Sequence, residues 1–423
     1  MMSKPRVAVI GAGWAGLAAA VELAGRAELT VFEAGREPGG RARRIGVRGS
    51  RLDNGQHILI GAYQECLRLM AAVGVDESRA LLRLPMNWRR QGGISLSCPR
   101  LPAPWHLAAG LLTARGISWR DKARLALALQ RLKGQGWRVA PDCAVAQWLT
   151  QQGQSETLIR EFWRPLVLSG LNTPPEQASM RVLAAVLRDS LGADRAASDL
   201  LLPRVDLSAL FPEPAWRWLA ERGADLRAGR RVRGVAADST GVSVDGERFD
   251  AAVLAVAPYH AAELTADPTL RQLTNAYRYW PIYTVYLQFE GAVRLPAPMC
   301  ACSGGVGDWL FDRGALMGET GWVAAVMSAP EHLDALSQEE LAALVEADVR
   351  RLDPRAGRRL DFRVLAERRA TFASLVDMRR PAQPSPVQSL YLAGDWTHAD
   401  YPATLEGAVR SGVAAARAVI GRL

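Results

Sequence analysis

The segment Val7–Gly16 reads VAVIGAGWAG. Val7, Val9 and Ile10 make a short apolar run of strand character. Gly11, Gly13 and Gly16 come next in GxGxxG spacing, and Leu17–Leu23 (LAAAVEL) has the composition of a helix. In such a strand–turn–helix each glycine has a task. Gly11 permits the tight bend, Gly13 lets the backbone approach a pyrophosphate, and Gly16 allows close helix–strand packing. The helix start, with Trp14 and Ala15 in its first turn, offers unpaired N–H groups and a positive dipole end to phosphate. A second strand, Leu29–Phe32, ends on Glu33 and Ala34. Glu33 lies close to the ~20-residue offset at which an acid grips a ribose hydroxyl. An ordinary strand–helix turn requires none of these features together. The stretch predicts a β-α-β unit that binds a dinucleotide.

The residues after Glu33 decide which dinucleotide. Gly35–Arg44 reads GREPGGRARR, so Gly39, Gly40 and Arg41 come soon after the ribose acid. By itself this would be a solvated basic loop. Behind a nucleotide turn, a basic glycine-rich loop suits a longer diphosphate that must be held from a second side. The order GxGxxG, acid, GGRxR resembles the flavin amine oxidase and carotenoid desaturase superfamily. That resemblance implies FAD as cofactor.

The other end of the chain adds a second signal. Ser389–Ala393 (SLYLA) reads as a strand running into Gly394-Asp395-Trp396-Thr397, and Pro402–Ala408 (PATLEGA) opens a final helix. Gly394 permits close backbone approach, and Asp395 can accept from ribityl or phosphate-side groups. Ala403, Thr404 and Leu405 form a helix start whose dipole can face the flavin pyrimidine edge, where the reduced ring carries negative charge. Both ends therefore build one domain. The expected fold is α/β: a Rossmann-like FAD-binding domain of GR2 type with an inserted α+β substrate domain. The expected divisions are 1–83, 204–262 and 387–423 for FAD, 84–203 for a helical substrate part, and 263–386 for its sheet part.

Between the ends the resemblance is weaker, and the residues carry most of the reading. Arg51–Ile60 (RLDNGQHILI) places Asn54, Gly55, Gln56 and His57 in a turn. NGQH with Tyr63 and Leu67 beyond it resembles the branch of hydroxysqualene dehydroxylases, also called squalene-associated desaturases. The resemblance sets this turn beside the isoalloxazine. Val232, in ADLRAGRRVRGV, occupies the place of a valine that meets the adenine through its backbone in the superfamily. Tyr279–Phe289 (YWPIYTVYLQF) reads as an aromatic strand with Tyr283 and Phe289 on one face and Trp280 and Tyr286 on the other. Such a face is either core or the wall of an apolar cavity. Trp280, Tyr283 and Tyr286 are the candidates for the substrate pocket. Further strands are expected at Trp309–Phe311, Gly321–Met327 and Phe362–Leu365, with a helix over Ser337–Leu352.

Composition narrows the remaining classes. The 423 residues carry a net charge of +9, yet lysine occurs only at 4, 122 and 133. Arginine supplies the rest without a clustered arm or a recognisable nucleic-acid motif, so nucleic acid is not an expected partner. Lysine is absent after Lys133, where an amine oxidase of this fold would commonly place one near the flavin. Cys66, Cys98, Cys143, Cys300 and Cys302 show no CxxC pair or metal-ligand spacing. That pattern fits reduced thiols in the cytoplasm and no metal. Cleavage of the apolar N-terminus as a signal would destroy the nucleotide turn. Leu101–Leu112 (LPAPWHLAAGLL) and the basic helix Arg120–Lys133 read either as a helical cap or as a peripheral contact with the inner membrane.

The resemblance implies a hydrophobic isoprenoid substrate, and one of two reactions on it. One is reductive dehydroxylation of hydroxysqualene by hydride from reduced FAD, which needs an electron donor of unassigned class. The other is oxidation, as in a carotenoid-type desaturase or an amine oxidase. The reductive reaction requires an acid for the departing hydroxyl and aromatic faces for an allylic cation. Of five histidines only His57 and His398 fall in segments expected near the flavin. His57 is the first candidate for the acid, with His398 or Asp400 as fallback; the plainer alternative is that His57 only binds flavin or orients its turn.

Overall fold

The structure, a computed structural model, describes residues 4–47, 50–238, 241–385, 389–397 and 400–422. Its first strand, Arg6–Ile10, lies at the centre of a five-stranded parallel sheet. The spatial order is Asp225–Arg227, Glu28–Phe32, Arg6–Ile10, Ala251–Leu254, Leu390–Leu392. These strands are almost continuously apolar because both faces of the sheet are covered. The helix Trp14–Leu23 packs on one face, and the final helix Leu405–Ile420 crosses it closely. A Cβ on Gly412 would stand 2.1 Å from the Ala15 carbonyl oxygen, so only glycine fits the crossing. A three-stranded antiparallel sheet, Val235–Asp238, Gly241–Val244 and Glu247–Phe249, lies beside this layer.

The second large sheet has seven strands. They run in the order Arg359–Phe372, Tyr279–Phe289, Trp322–Ser328, Trp309–Asp312, Met299–Cys302, Asn87–Gln91, Ser95–Ser97. Every pairing is antiparallel except that of Met299–Cys302 with Asn87–Gln91. Period-two alternation divides its faces as the sequence predicts. Tyr283, Val285, Leu287 and Phe289 pack in one cluster with Leu341, Val345 and Val349 of the helix Gln338–Leu352. Tyr286, Trp309 and Phe311 belong to another, with Trp163, Leu183 and Leu187 from the helical region. Asn87–Gln91, inside the stretch expected to be helical, is a strand because Trp88 and Arg90 alternate inward.

The helices Trp105–Thr113 and Trp119–Gly134 form a hairpin that is only half packed. Leu125, Ala128 and Leu132 face the core, whereas Trp105 and Trp119 are 66% and 68% exposed. Among the described residues no helix is long and apolar enough to cross a membrane.

Candidate active site

The strand Arg6–Ile10 delivers the glycine turn to the edge of a cavity of about 700 Å³. Gly11 has φ +100°, and its N–H donates to the Phe32 carbonyl at 2.8 Å. A Cβ there would sit 2.6 Å from the Ala255 oxygen. Gly16 does not border the cavity; a Cβ on it would lie 1.9 Å from the Gly11 oxygen, which makes it the packing glycine. Gly13 caps the helix without a side-chain acceptor, and no acid occupies the first turn. The amides of a helix start therefore face the cavity with no acid of their own helix to neutralise them.

Around this start the structure gathers the predicted nucleotide residues. Trp14, Ala15, Glu33, Ala34, Gly40, Arg41 and Val232 all line the cavity. The Glu33 carboxylate accepts from the Ala12 N–H at 2.8 Å and the Gly35 N–H at 2.7 Å, which aims it across the turn. Gly39 N–H donates to the Ala12 carbonyl at 2.8 Å and draws the second glycine loop against the first. Val232 is buried between Arg231, which is exposed, and Arg233, which is also exposed.

The turn Asn54–His57 and the segments Gly394–Asp395 and Ala403–Leu405 line the deeper part. Arg41 joins them to the first loop, donating to Asp395 Oδ2 at 2.7 Å and to the Ala370 carbonyl at 2.6 Å. Gly394 has φ +145°, and its N–H donates to Ser411 Oγ at 2.7 Å. Asn54 Nδ2 donates to the Arg41 carbonyl at 3.1 Å and to Glu367 Oε2 at 3.2 Å. Gln56 Oε1 accepts from the fully buried Arg313 at 3.0 Å. The two helix starts, the ribose-side acid and the glycine cradles fit FAD, which Glu33, Arg41, Asp395 and the Thr404–Leu405 helix start would help to hold.

His57 borders the cavity, and its surroundings favour a binding role over that of acid. Its Nδ1 lies 2.8 Å from the Gly55 carbonyl, which can only accept, so Nδ1 carries the ring proton and Nε2 is an acceptor. Burial, with a smaller contribution from the Arg41 charge, holds its pKa below the ordinary value against the opposing Gly55 bond. Burial thus favours the neutral ring, which in this tautomer presents Nε2 to the cavity as an acceptor. The fallback His398 lies outside the described residues, and Asp400 is exposed and does not border the cavity.

The pocket aromatics also require correction. The Tyr283 hydroxyl bonds Asp334 on the opposite face of the sheet. Tyr286 is fully buried and donates to the Asp53 carbonyl at 3.1 Å. Trp280 precedes a register shift in the strand pairing, and its carbonyl accepts from Asn172 at 3.3 Å. None of the three borders the cavity. The wall is made instead by Leu168, Ile282, Trp309, Phe311 and Val326, with Ser169, Asn172, Ser328, Glu367 and Thr371 as polar members. Trp309 Nε1 donates to Ser169 Oγ at 2.7 Å, which leaves the indole body for the cavity. Lys122 donates to the Leu112 carbonyl at 2.6 Å, and among the described residues no lysine borders the cavity.

Comparison with known proteins agrees with this geometry. A family model described as flavin containing amine oxidoreductase matches residues 14–420. A hydroxysqualene dehydroxylase of Rhodopseudomonas palustris is 32% identical over 99% of both chains. Another, of Sinorhizobium fredii, is 30% identical over 97% of both chains. Among solved structures, cyclohexylamine oxidase from Brevibacterium oxydans aligns over 99% of both chains with a TM-score of 0.72 and 19% identity, a likeness of fold.

Proposed function

The chain belongs to the flavin-containing amine oxidoreductase family, and on that premise we propose that it converts hydroxysqualene to squalene. The observation that carries this reading is the continuity of the FAD cradle with an apolar chamber that, among the described residues, has no lysine. An amine substrate would meet Trp309, Phe311, Ile282, Val326 and Leu168, a surface suited to isoprenoid methyl groups. The full-length likeness to two hydroxysqualene dehydroxylases supports the same substrate class.

The chemistry that bound, reduced FAD would supply is hydride for the carbon that loses oxygen. The chain supplies the rest. Gly11, Gly13 and Arg41 would hold the nucleotide, and Asn54–His57 with Thr404–Leu405 would hold the ring end. Trp309 and Phe311 offer aromatic faces to positive charge that develops as the C–O bond breaks. The apolar wall excludes water, which would otherwise capture that charge. His57, whose burial favours the neutral ring, would orient through Nε2.

The substrate is a membrane-soluble hydrocarbon alcohol, and the hairpin offers the means to reach it. Among the described residues, Leu101, Trp105, Leu112, Trp119 and Leu127 are five of the seven exposed large hydrophobics. Arg100, Arg115 and Arg120 are exposed in the same stretch. This combination is that of an interfacial helix on an anionic leaflet, which supports a peripheral position on the cytoplasmic face of the inner membrane.

The decisive experiment is anaerobic. Dithionite-reduced holoprotein is mixed with hydroxysqualene in detergent, and the products are resolved by gas chromatography. Squalene formed in proportion to flavin oxidised is the expected result. Recovery of unchanged alcohol, with a desaturated product only when oxidised flavin is used, would replace this reading by the desaturase one.

A further inference from the structure

Among the described residues three side-chain amides border the cavity: Asn54, Gln56 and Asn172. Two of them have spent their hydrogens. Asn54 Nδ2 donates to the Arg41 carbonyl at 3.1 Å and to Glu367 Oε2 at 3.2 Å. Asn172 Nδ2 bonds Thr371 Oγ1 at 2.8 Å and the Trp280 and Pro281 carbonyls at 3.3 Å. Gln56 Nε2 meets only the His57 carbonyl, at the long distance of 3.5 Å. An amide nitrogen carries two hydrogens, so the buried Gln56 keeps at least one unspent.

Arg313 holds this amide one way round. Its Nη1 donates to Gln56 Oε1 at 3.0 Å, and a guanidinium offers no acceptor, so a flipped amide would set N–H against N–H. The arginine is itself fixed. It is fully buried, its Nε donates to Glu319 Oε2 at 2.6 Å, and its guanidinium carbon lies 5.2 Å from the centre of the Tyr286 ring. Arg313 opens the helix Arg313–Met317, directly after the strand Trp309–Asp312 that brings Trp309 and Phe311 to the apolar wall. The Arg313–Gln56 bond thus ties that wall to the turn Asn54–His57. The wall hydroxyls of Ser169, Ser328 and Thr371 can rotate and fix no direction, whereas the locked amide does.

We propose that Gln56 Nε2 donates to the hydroxyl oxygen of the isoprenoid alcohol, and that Arg313 is the positioning residue that presents this N–H. The assignment rests on the dehydroxylation reading above. Against Leu168, Ile282, Phe311 and Val326 the repeated methyl groups of the substrate can slide from one register to the next. Its single oxygen cannot, because on entry it loses water and needs a partner. A fixed donor at the junction of turn and wall therefore sets which carbon is held for reaction. The same donor favours turnover. Squalene has no oxygen, so it leaves the Gln56 N–H buried without a partner and binds less tightly than the alcohol it came from. A hydrocarbon substrate, as a desaturase would take, makes no use of this group.

The test measures binding rather than turnover. Oxidised holoprotein, saturated with FAD, is titrated in detergent with hydroxysqualene and separately with squalene, and the change in flavin absorbance gives each Kd. Wild type is expected to bind the alcohol about 5- to 150-fold more tightly, the range for leaving a buried donor unpartnered. Gln56→Leu and Gln56→Glu should erase that preference. The glutamate variant is the sharper of the two, because it keeps an oxygen for Arg313 and loses only the donor. Arg313→Met should weaken the preference and raise KM for the alcohol, and Arg313→Lys, which also only donates, should restore part of it. A Gln56→Glu holoprotein that keeps the wild-type preference overturns the proposal. If that variant weakens FAD binding while the preference stays, the N–H serves a flavin carbonyl and the proposal is equally refuted. A wild type that binds the two ligands alike refutes it as well, whether or not squalene is formed. Reduced wild type that makes no squalene overturns the dehydroxylation reading, and this inference with it.

Discussion

Replacing Gly13 by alanine separates the cradle from the fold. Gly13 has φ −73° and ψ 179°, an extended conformation open to any residue. A Cβ there would find its nearest neighbour, Gly40 Cα, at 3.8 Å, an ordinary contact. The apoprotein should therefore lose only about 0.5–1 kcal/mol, the preference for glycine over alanine at a helix N-cap. The same Cβ projects where a pyrophosphate must touch the backbone. Displacing the phosphate by one methyl removes a charge-assisted bond of about 1.5–3 kcal/mol, so FAD affinity should fall roughly 10- to 150-fold. Gly16→Ala should behave in the opposite way. Its Cβ would lie 1.9 Å from the Gly11 oxygen, and relief requires the helix to lift from the strand. Overpacking of this kind costs about 1–3 kcal/mol, which the apoprotein itself would lose. Urea unfolding of both apoproteins, with FAD titration by fluorescence quenching, reads the two effects. A Gly13→Ala apoprotein as destabilised as Gly16→Ala, or one binding FAD normally, would refute the placement of the pyrophosphate.

The site and the hairpin support further expected outcomes. His57→Ala should retain turnover within about tenfold, less than the 10²–10⁴ typical of a lost general acid; a larger loss at full FAD occupancy would return the acid role to His57. Its folded pKa lies below the unfolded value of about 6.5. The unfolded chain then binds the proton first, so wild type should lose stability relative to His57→Gln as pH falls below that value, measured by thermal unfolding of the apoproteins. Trp105→Ser with Trp119→Ser should lower co-sedimentation with anionic vesicles severalfold at unchanged FAD content, because the two indoles are 66% and 68% exposed; unaltered sedimentation would exclude the hairpin as the contact.

The nucleotide half of the site is legible in the sequence because its residues lie in runs. Gly11–Gly16, Gly39–Arg41, Asn54–His57 and Gly394–Leu405 each fold locally, and a strand–turn–helix brings a whole run to the cavity at once. The substrate wall has no such run. Leu168, Ile282, Trp309, Phe311, Val326 and Ser328 come from one helix and three strands far apart in sequence, and only strand register and tertiary packing unite them. Period two divides Tyr283 from Tyr286 correctly, but alternation does not say which face looks onto a cavity. Here one faces a helix and the other a buried arginine. The register shift after Trp280 is also silent in sequence. His57 stands out because histidine is rare in this chain. Its lowered pKa comes from the burial around the ring and the Arg41 charge, against the Gly55 bond, and no local motif reports these.

The order of strands in the parallel sheet also sets a timetable. The ribosome releases the glycine turn first, yet the edge strand Leu390–Leu392 and the crossing helix Leu405–Ile420 emerge last. Until then Ala251–Leu254 has an uncovered edge, and Arg41 has no Asp395 to meet. The part of the cavity that Gly394 and Ala403–Leu405 line is thus completed last, and a nascent chain must shelter its exposed strand through much of its translation.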